Sequence, residues 1–141
     1  MDKFFVLNDR PSFSVSPGFA GYVIFYKKSK DEKVAEVQTH LMDKLIGNGL
    51  KLSKDNFLFI DLNEHPARIS VLQQTFTLKK CFLFGVKETE VGINFEVKMY
   101  QLTTVSNIEF LKADSPEILE QDKNLKNKLW VQLQLSFNLS K

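Results

Sequence analysis

The run Gly21-Tyr22-Val23-Ile24-Phe25-Tyr26 decides the fold. Its β-branched and aromatic residues are unbroken from Tyr22 to Tyr26, the pattern of a strand buried on both faces and therefore central in a sheet. Two further runs of the same kind follow, Phe57-Leu58-Phe59-Ile60-Asp61-Leu62 and Cys81-Phe82-Leu83-Phe84-Gly85-Val86. Between the first two, Asp31 is placed to cap a helix that sets Val34, Val37, Leu41, Met42 and Leu45 on one face and Lys33, Glu36, His40, Asp43 and Lys44 on the other. Gly47-Asn48-Gly49 ends it with residues that accept positive φ. Asn63 to Pro66 leads into a short helix carrying Ile69, Leu72 and Phe76 before the third run. Strands separated by helices form βαβαβ, and right-handed crossovers then cover both faces of a parallel sheet. The expected fold is α/β: three layers, with a mostly parallel central sheet of four to five strands.

Working outward, 87 to 94 reads as a loop or single turn, and Phe95 to Leu102 alternates as a half-exposed strand near an edge. Ile108 to Leu111 reads as a shorter strand. The ending starts one helix on Ser115-Pro116 and caps another with Asp122, setting Leu125, Leu129, Trp130, Leu133 and Phe137 on one stripe. Residues 21 to 141 are expected to form one domain. Residues 1 to 20 form an arm or edge strand whose Phe4, Phe5, Val6, Leu7, Phe13 and Phe19 are too many large apolar groups for an idle tail. They pack on their own domain as an added strand, or dock on a partner as an extended peptide, with Phe4, Phe5, Leu7 and Phe13 as the contact residues.

Composition narrows the function classes. The chain has 141 residues, 43% hydrophobic and 26% charged, which suits one folded domain. A net charge of +2 is too small to argue for direct nucleic-acid or anionic-membrane binding. Lys123, Lys126 and Lys128 project in different directions and read as a solvated face, and Trp130 reads most simply as a core residue. Cys81 is the only cysteine, which excludes an internal disulfide and a cysteine-based zinc site and fits a reducing compartment. The first apolar run is too short for a signal sequence and no later stretch approaches a membrane span, so the expected location is the cytoplasm. No cofactor is expected: the glycine patterns that let backbone amides approach phosphates are absent, as is a serine elbow.

In an open parallel sheet, ligands bind outside the carboxyl ends of the strands. Those ends offer Lys27 to Ser29, Asp61 to His65, Gly85 to Glu88, and Asp114 with Ser115. A ligand crevice would therefore use Asp61, His65, Asp114 and Ser115. His65, flanked by Asp61, Glu64 and Arg68, suits a general base or a metal ligand, whereas the plainer reading is a solvated turn with Pro66 opening a helix. The carboxylates Asp61, Glu64, Glu88 and Asp114 either meet in that crevice or face water.

Leu45-Ile46-Gly47-Asn48-Gly49-Leu50-Lys51-Leu52, Lys80-Cys81-Phe82-Leu83-Phe84-Gly85-Val86, and the ending from Asp114-Ser115-Pro116 to Leu129-Trp130 together resemble the uracil-DNA glycosylase fold family. Within it they are most similar to the non-catalytic psi subunits of the bacterial DNA polymerase III clamp loader complex. The resemblance covers roughly residues 21 to 137 and rests on structural motifs. Active glycosylases of that family carry a Gly/Pro-rich loop with a water-activating group after the first strand and a His-Pro-Ser segment near the last. This chain has Lys27-Lys28-Ser29-Lys30-Asp31 and Ala113-Asp114-Ser115-Pro116 there, so the resemblance implies an adaptor without glycosylase chemistry. It further implies a role linking replication factors, with clamp-loader subunits as protein partners. The other two readings are a small α/β enzyme or nucleotide binder using the strand-end crevice, and a domain that self-associates as a homo-oligomer.

Overall fold

The computed structural model describes residues 13 to 138. In chain order they form β1 (Tyr22–Tyr26), α1 (Glu32–Asp43) running into a π-helical turn (Lys44–Gly49), a 3-10 turn (Lys54–Asn56), β2 (Phe57–Asp61) and α2 (Ile69–Leu72). There follow β3 (Lys80–Phe84), a 3-10 turn (Glu88–Val91), β4 (Thr103–Val105), β5 (Ile108–Ala113), α3 (Pro116–Gln121) and α4 (Lys123–Ser136). The five strands form one sheet in the order β2-β1-β3-β5-β4, all parallel except the β4–β5 hairpin.

Alternation along each strand divides the interior into two cores. Val23, Phe25, Leu58, Ile60, Cys81 and Leu83 point to one face, covered by α2, by residues 13 to 19 and by the chain from Val86 to Val97. Ile24, Phe57, Phe82, Phe84 and Leu111 point to the other, under α1, α3 and α4. The helical face is aromatic: Phe57, Phe82 and Phe84 lie side by side, and Phe137 stacks on Phe82 at 6.2 Å. The sheet is therefore flanked on both sides, as expected, but the layers are unequal. One is three helices; the other is a single short helix and packed coil.

Two local expectations are corrected. Phe95 to Leu102 forms no strand beyond a single bridge of Met99 to Lys112; the edge strand lies further on, at Thr103–Val105. The Val97 amide is occupied by the Glu88 carboxylate at 2.8 Å, and Tyr100 turns the backbone at φ 56°, so this stretch cannot continue a ladder. A two-residue turn, Ser106-Asn107, with both residues at positive φ, joins β4 to β5 as a type I′ hairpin. The second correction concerns α1, whose buried face is Ala35, Gln38, Leu41 and Met42, while Val37 is exposed. The helix is rotated by about one position because Gln38 is held inside by hydrogen bonds.

The two aspartate caps act as read, whereas Gly47-Asn48-Gly49 does not stop the helix at positive φ: these residues lie in the π-helical turn, and the left-handed residue is Lys51, at φ 60°. Asp31 accepts from the amides of Lys33 and Val34, and Asp122 from those of Asn124 and Leu125. At the far end of α4, Lys80 donates to the Ser136 carbonyl at 2.9 Å and to Glu109 at 2.9 Å, placing a cation where the helix dipole favours one. Among the described residues no helix is long and apolar enough to cross a membrane.

Candidate functional site

The carboxyl ends of the parallel strands lie in one row, with Tyr26 paired to Asp61 and Phe84 to Ala113. The crossover from β1 runs outward to β2 and the next returns past β1 to β3, so the crevice that this topology opens lies between the loops after β1 and β3.

The molecule's own groups bridge that crevice. Gln38, 1% exposed, reaches in from α1; its amide nitrogen donates to the Lys27 carbonyl at 3.0 Å and to Glu117 of α3 at 2.8 Å. Its oxygen accepts the Ser29 amide at 3.0 Å. One side chain thus ties the loop after β1 to the helix after β5. Lys27 pairs with Glu90 on the turn after β3. Burial is the largest single influence on Glu90 and opposes its ionisation, but the hydrogen bonds from Lys27 and the Lys87 amide and the charges of those two lysines together outweigh it, so the carboxyl lies below its ordinary range. Asp61, also buried, accepts the amides of Lys28 at 2.9 Å and Asn63 at 3.0 Å. Asn63 in turn donates to the Lys28 carbonyl at 2.9 Å. Tyr26, beside Asp61 and Glu64, has its phenol pushed up by burial first and by those two charges second.

At the β5 end, the Tyr100 hydroxyl donates to Asp114 at 2.5 Å, and burial together with this bond raises the phenol well above its usual value. Ser115 donates to Glu117 at 2.8 Å. Gly85, at φ 70°, passes so close to Ser115 that a Cβ there would lie 2.7 Å from the serine Cβ. Beside this, Lys112 donates to Glu88 at 2.8 Å, and that bond with the one from the Val97 amide lowers the Glu88 carboxyl to about 2.

Of the residues expected to line a crevice, Asp61 and Asp114 with Ser115 sit at strand ends, but β1 and β3 separate them by about 14 Å across three strand spacings. They do not converge on one reacting atom. His65 lies outside the sheet edge, more than half exposed, 3.9 Å from Glu64 and edge-on to the Phe13 ring at 6.0 Å. The four carboxylates that were candidates to meet are dispersed: Glu64 faces solvent, and Asp61, Glu88 and Asp114 each have a separate partner. Among the described residues no group of three or more His, Cys, Asp or Glu side chains is placed to hold a metal ion. Gln38 and Glu117, which do bridge the crevice, have no signal in local sequence; a glutamine on a helix reads as surface.

Of the arm, Phe4, Phe5 and Leu7 lie outside the described residues. Phe13 is half-buried against the coil-covered core, with Val15 and Phe19, and Phe19 meets Phe76 edge-on at 5.6 Å. The Asn56 side chain donates to the Gly18 carbonyl at 2.9 Å, and the Ala20 amide to the Asn56 carbonyl at 3.0 Å. The chain matches no protein-family model, no curated protein and no solved structure.

A groove of about 280 Å³ opens on the helical side between the π-helical turn and α4, lined by Leu41, Lys44, Leu45, Gly49, Lys126 and Trp130. Trp130 is half-buried there, its ring close enough to Gly49 that a Cβ would stand 2.9 Å from it. Lys44 and Lys126 both reach Glu120, at 3.6 and 3.5 Å.

Proposed function

We propose that the protein is a non-enzymatic, cytoplasmic interaction protein, and in particular a psi-like subunit that links the bacterial replicative clamp loader to another replication factor. The observation that carries the first half is the bridged crevice. Gln38 and the Lys27–Glu90 pair occupy the position where an α/β sheet of this order holds a substrate or nucleotide. A general acid or base also needs a reacting atom within hydrogen-bond reach, and His65 stands at the sheet's outer margin with one exposed glutamate beside it.

The second half rests on the family resemblance and on the run Phe4-Phe5-Val6-Leu7, whose apolar content suits an extended contact. The test is co-elution of the purified chain with purified clamp-loader subunits and single-strand-binding protein, with Phe4, Phe5 and Leu7 changed together to Ala in a second sample. A complex lost in the variant supports the adaptor and places its contact. Absence of any complex with the unaltered chain removes the replication assignment, and saturable binding of a nucleotide that is lost in His65→Ala removes the non-enzymatic one.

A further inference from the structure

We infer that the groove beside Trp130 is the docking site of an acidic peptide that carries one large apolar anchor. Two cations share one carboxylate at its rim: Lys44 of the π-helical turn and Lys126 of α4 approach the two oxygens of Glu120, at 3.6 and 3.5 Å. A well-made charge-assisted hydrogen bond is about 2.7–2.9 Å long, so Glu120 satisfies neither ammonium fully, and the rim keeps an excess of positive charge. The excess continues along α4, whose only charged side chains are Lys123, Lys126 and Lys128. Lys128 is engaged over the Tyr100 ring, 6.0 Å from its centre. Lys123 and Lys126 stand near the amino-terminal end of α4, where the helix dipole disfavours cations and favours an anion brought to the same place. Asp122, beside them in the chain, is committed to the amides of Asn124 and Leu125.

Beneath that rim the groove is apolar. Leu41, Leu45 and Trp130 line it, and Gly49 lets the indole lie against the backbone of the π-helical turn while the ring stays only half-buried. A tryptophan held in place on one side and open on the other, with lysines beside it, suits the anchor of an interface, and its ring packs well on an aromatic partner.

The extent of the surface selects a peptide over a small anion. At about 280 Å³ the groove falls just below the range of small-molecule pockets, about 300–1,000 Å³. Asn127 at its margin lies in line with Val131 and Leu135, one and two turns further along α4 and both exposed. That line carries the apolar surface about 12 Å beyond the groove, the length of about four extended residues. Glu120 then holds the place of the peptide's first carboxylate until the peptide arrives.

Trp130 is the only tryptophan, so its emission reports on the groove alone. The test is a titration of the full chain, at low ionic strength, with a short peptide of aspartates carrying one phenylalanine and, about four residues on, one leucine. The probe is synthetic, so the outcome is independent of the replication assignment. The expected result is a saturable change in Trp130 emission that salt weakens and that a peptide with lysines for the aspartates does not give. Lys44→Gln with Lys126→Gln weakens binding about fivefold or more, and Leu135→Gln about threefold or more. Glu120→Gln withdraws the internal competitor and tightens binding about two- to fivefold, the worth of one exposed ion pair, a gain that no loss of folding can imitate. No saturable change, equal binding of the lysine peptide, or weaker binding by Glu120→Gln overturns the acidic peptide. Phenylacetate binding as tightly as the peptide makes this a site for small anions, and a doubled mass in light scattering that Lys44→Gln with Lys126→Gln abolishes makes the occupant a second copy; either result also overturns it.

Discussion

Replacing Gln38 by leucine tests whether the crevice is held shut by this one side chain. Leucine fits the volume but offers neither donor nor acceptor. The change strands the Ser29 amide, the Lys27 carbonyl and one oxygen of Glu117, which bond to Gln38 at 3.0, 3.0 and 2.8 Å. A buried group left without a partner costs about 1–3 kcal/mol. Lys27, Ser29 and Glu117 are only half-buried and Glu117 keeps Ser115, so each loss falls at the low end. Together they come to about 3 kcal/mol, or about 6–12 °C in Tm for a domain of this size. Urea unfolding followed by far-UV circular dichroism reads the difference as a shift in midpoint at constant slope. Gln38→Glu supplies the control: it keeps the acceptor for Ser29 but sets a second carboxylate beside Glu117, so it destabilises at neutral pH and recovers on acidification. A cost below about 1 kcal/mol for Gln38→Leu, or no pH dependence for Gln38→Glu, refutes the bridge as the element that holds the two loops together.

Three further outcomes follow from the same geometry. Glu88→Gln removes the charge that holds Lys112 and weakens the bond to Val97, costing about 1–3 kcal/mol at pH 7 with solvent screening favouring the lower part. Because the folded carboxyl lies near 2 and the ordinary value is 4.5, the stabilisation is complete above pH 4.5 and lost as pH falls toward 2; the gap between the two proteins must close over that window in acid titrations of stability. Gly85→Ala forces a side chain onto φ 70° and against Ser115, and should lower stability by about 1–3 kcal/mol in the same urea assay, whereas a neutral result would show that the chain after β5 yields freely. Burial pushes the Cys81 thiol up to about 12, so iodoacetamide at pH 8 should modify it only at the rate of opening; labelling of the native protein as fast as of a free thiol would contradict its placement between β1 and β5.

The strands β1, β2 and β3 are legible because each is buried on both faces, which leaves a continuous apolar run that needs no partner to be recognised, although β2 lies at an edge of the sheet. The hairpin at Ser106-Asn107 is less so: β4 is only three residues and half-exposed, and the stronger alternation at Phe95 to Met99 competes with it. That alternation holds in burial around Val97, which is inside with Glu96 and Lys98 outside, but Met99 is exposed; Glu88 takes the Val97 amide from 9 residues away and no periodicity rule contains that bond. The rotation of α1 has the same origin. Val37 fits the apolar stripe better than Gln38, and only contacts from Lys27 and from Glu117, 79 residues distant, reverse the choice. Asp61 at a strand end is visible in sequence; that it bonds to backbone amides on both sides of the turn is not.

Those same bonds bear on what the molecule can recognise. A ligand entering between the loops after β1 and β3 would first have to displace the Gln38 contacts. At about 1 kcal/mol net for each of its three hydrogen bonds, that sets about 3 kcal/mol against binding, about two powers of ten in affinity. A molecule could recover this only by presenting a donor and an acceptor in the places that Gln38 fills. No comparable cost attaches to the helical side. Leu135 is 60% exposed, Val131 50% and Ile118 46%, all large apolar groups on α4 and α3 whose burial against another surface displaces only water. Burying Val131 and Leu135 fully would contribute about 2–3 kcal/mol together from their remaining exposed area. The energetics of the free molecule thus favour contact over its outer helices, at low cost, rather than entry of a ligand into the crevice at the end of its sheet.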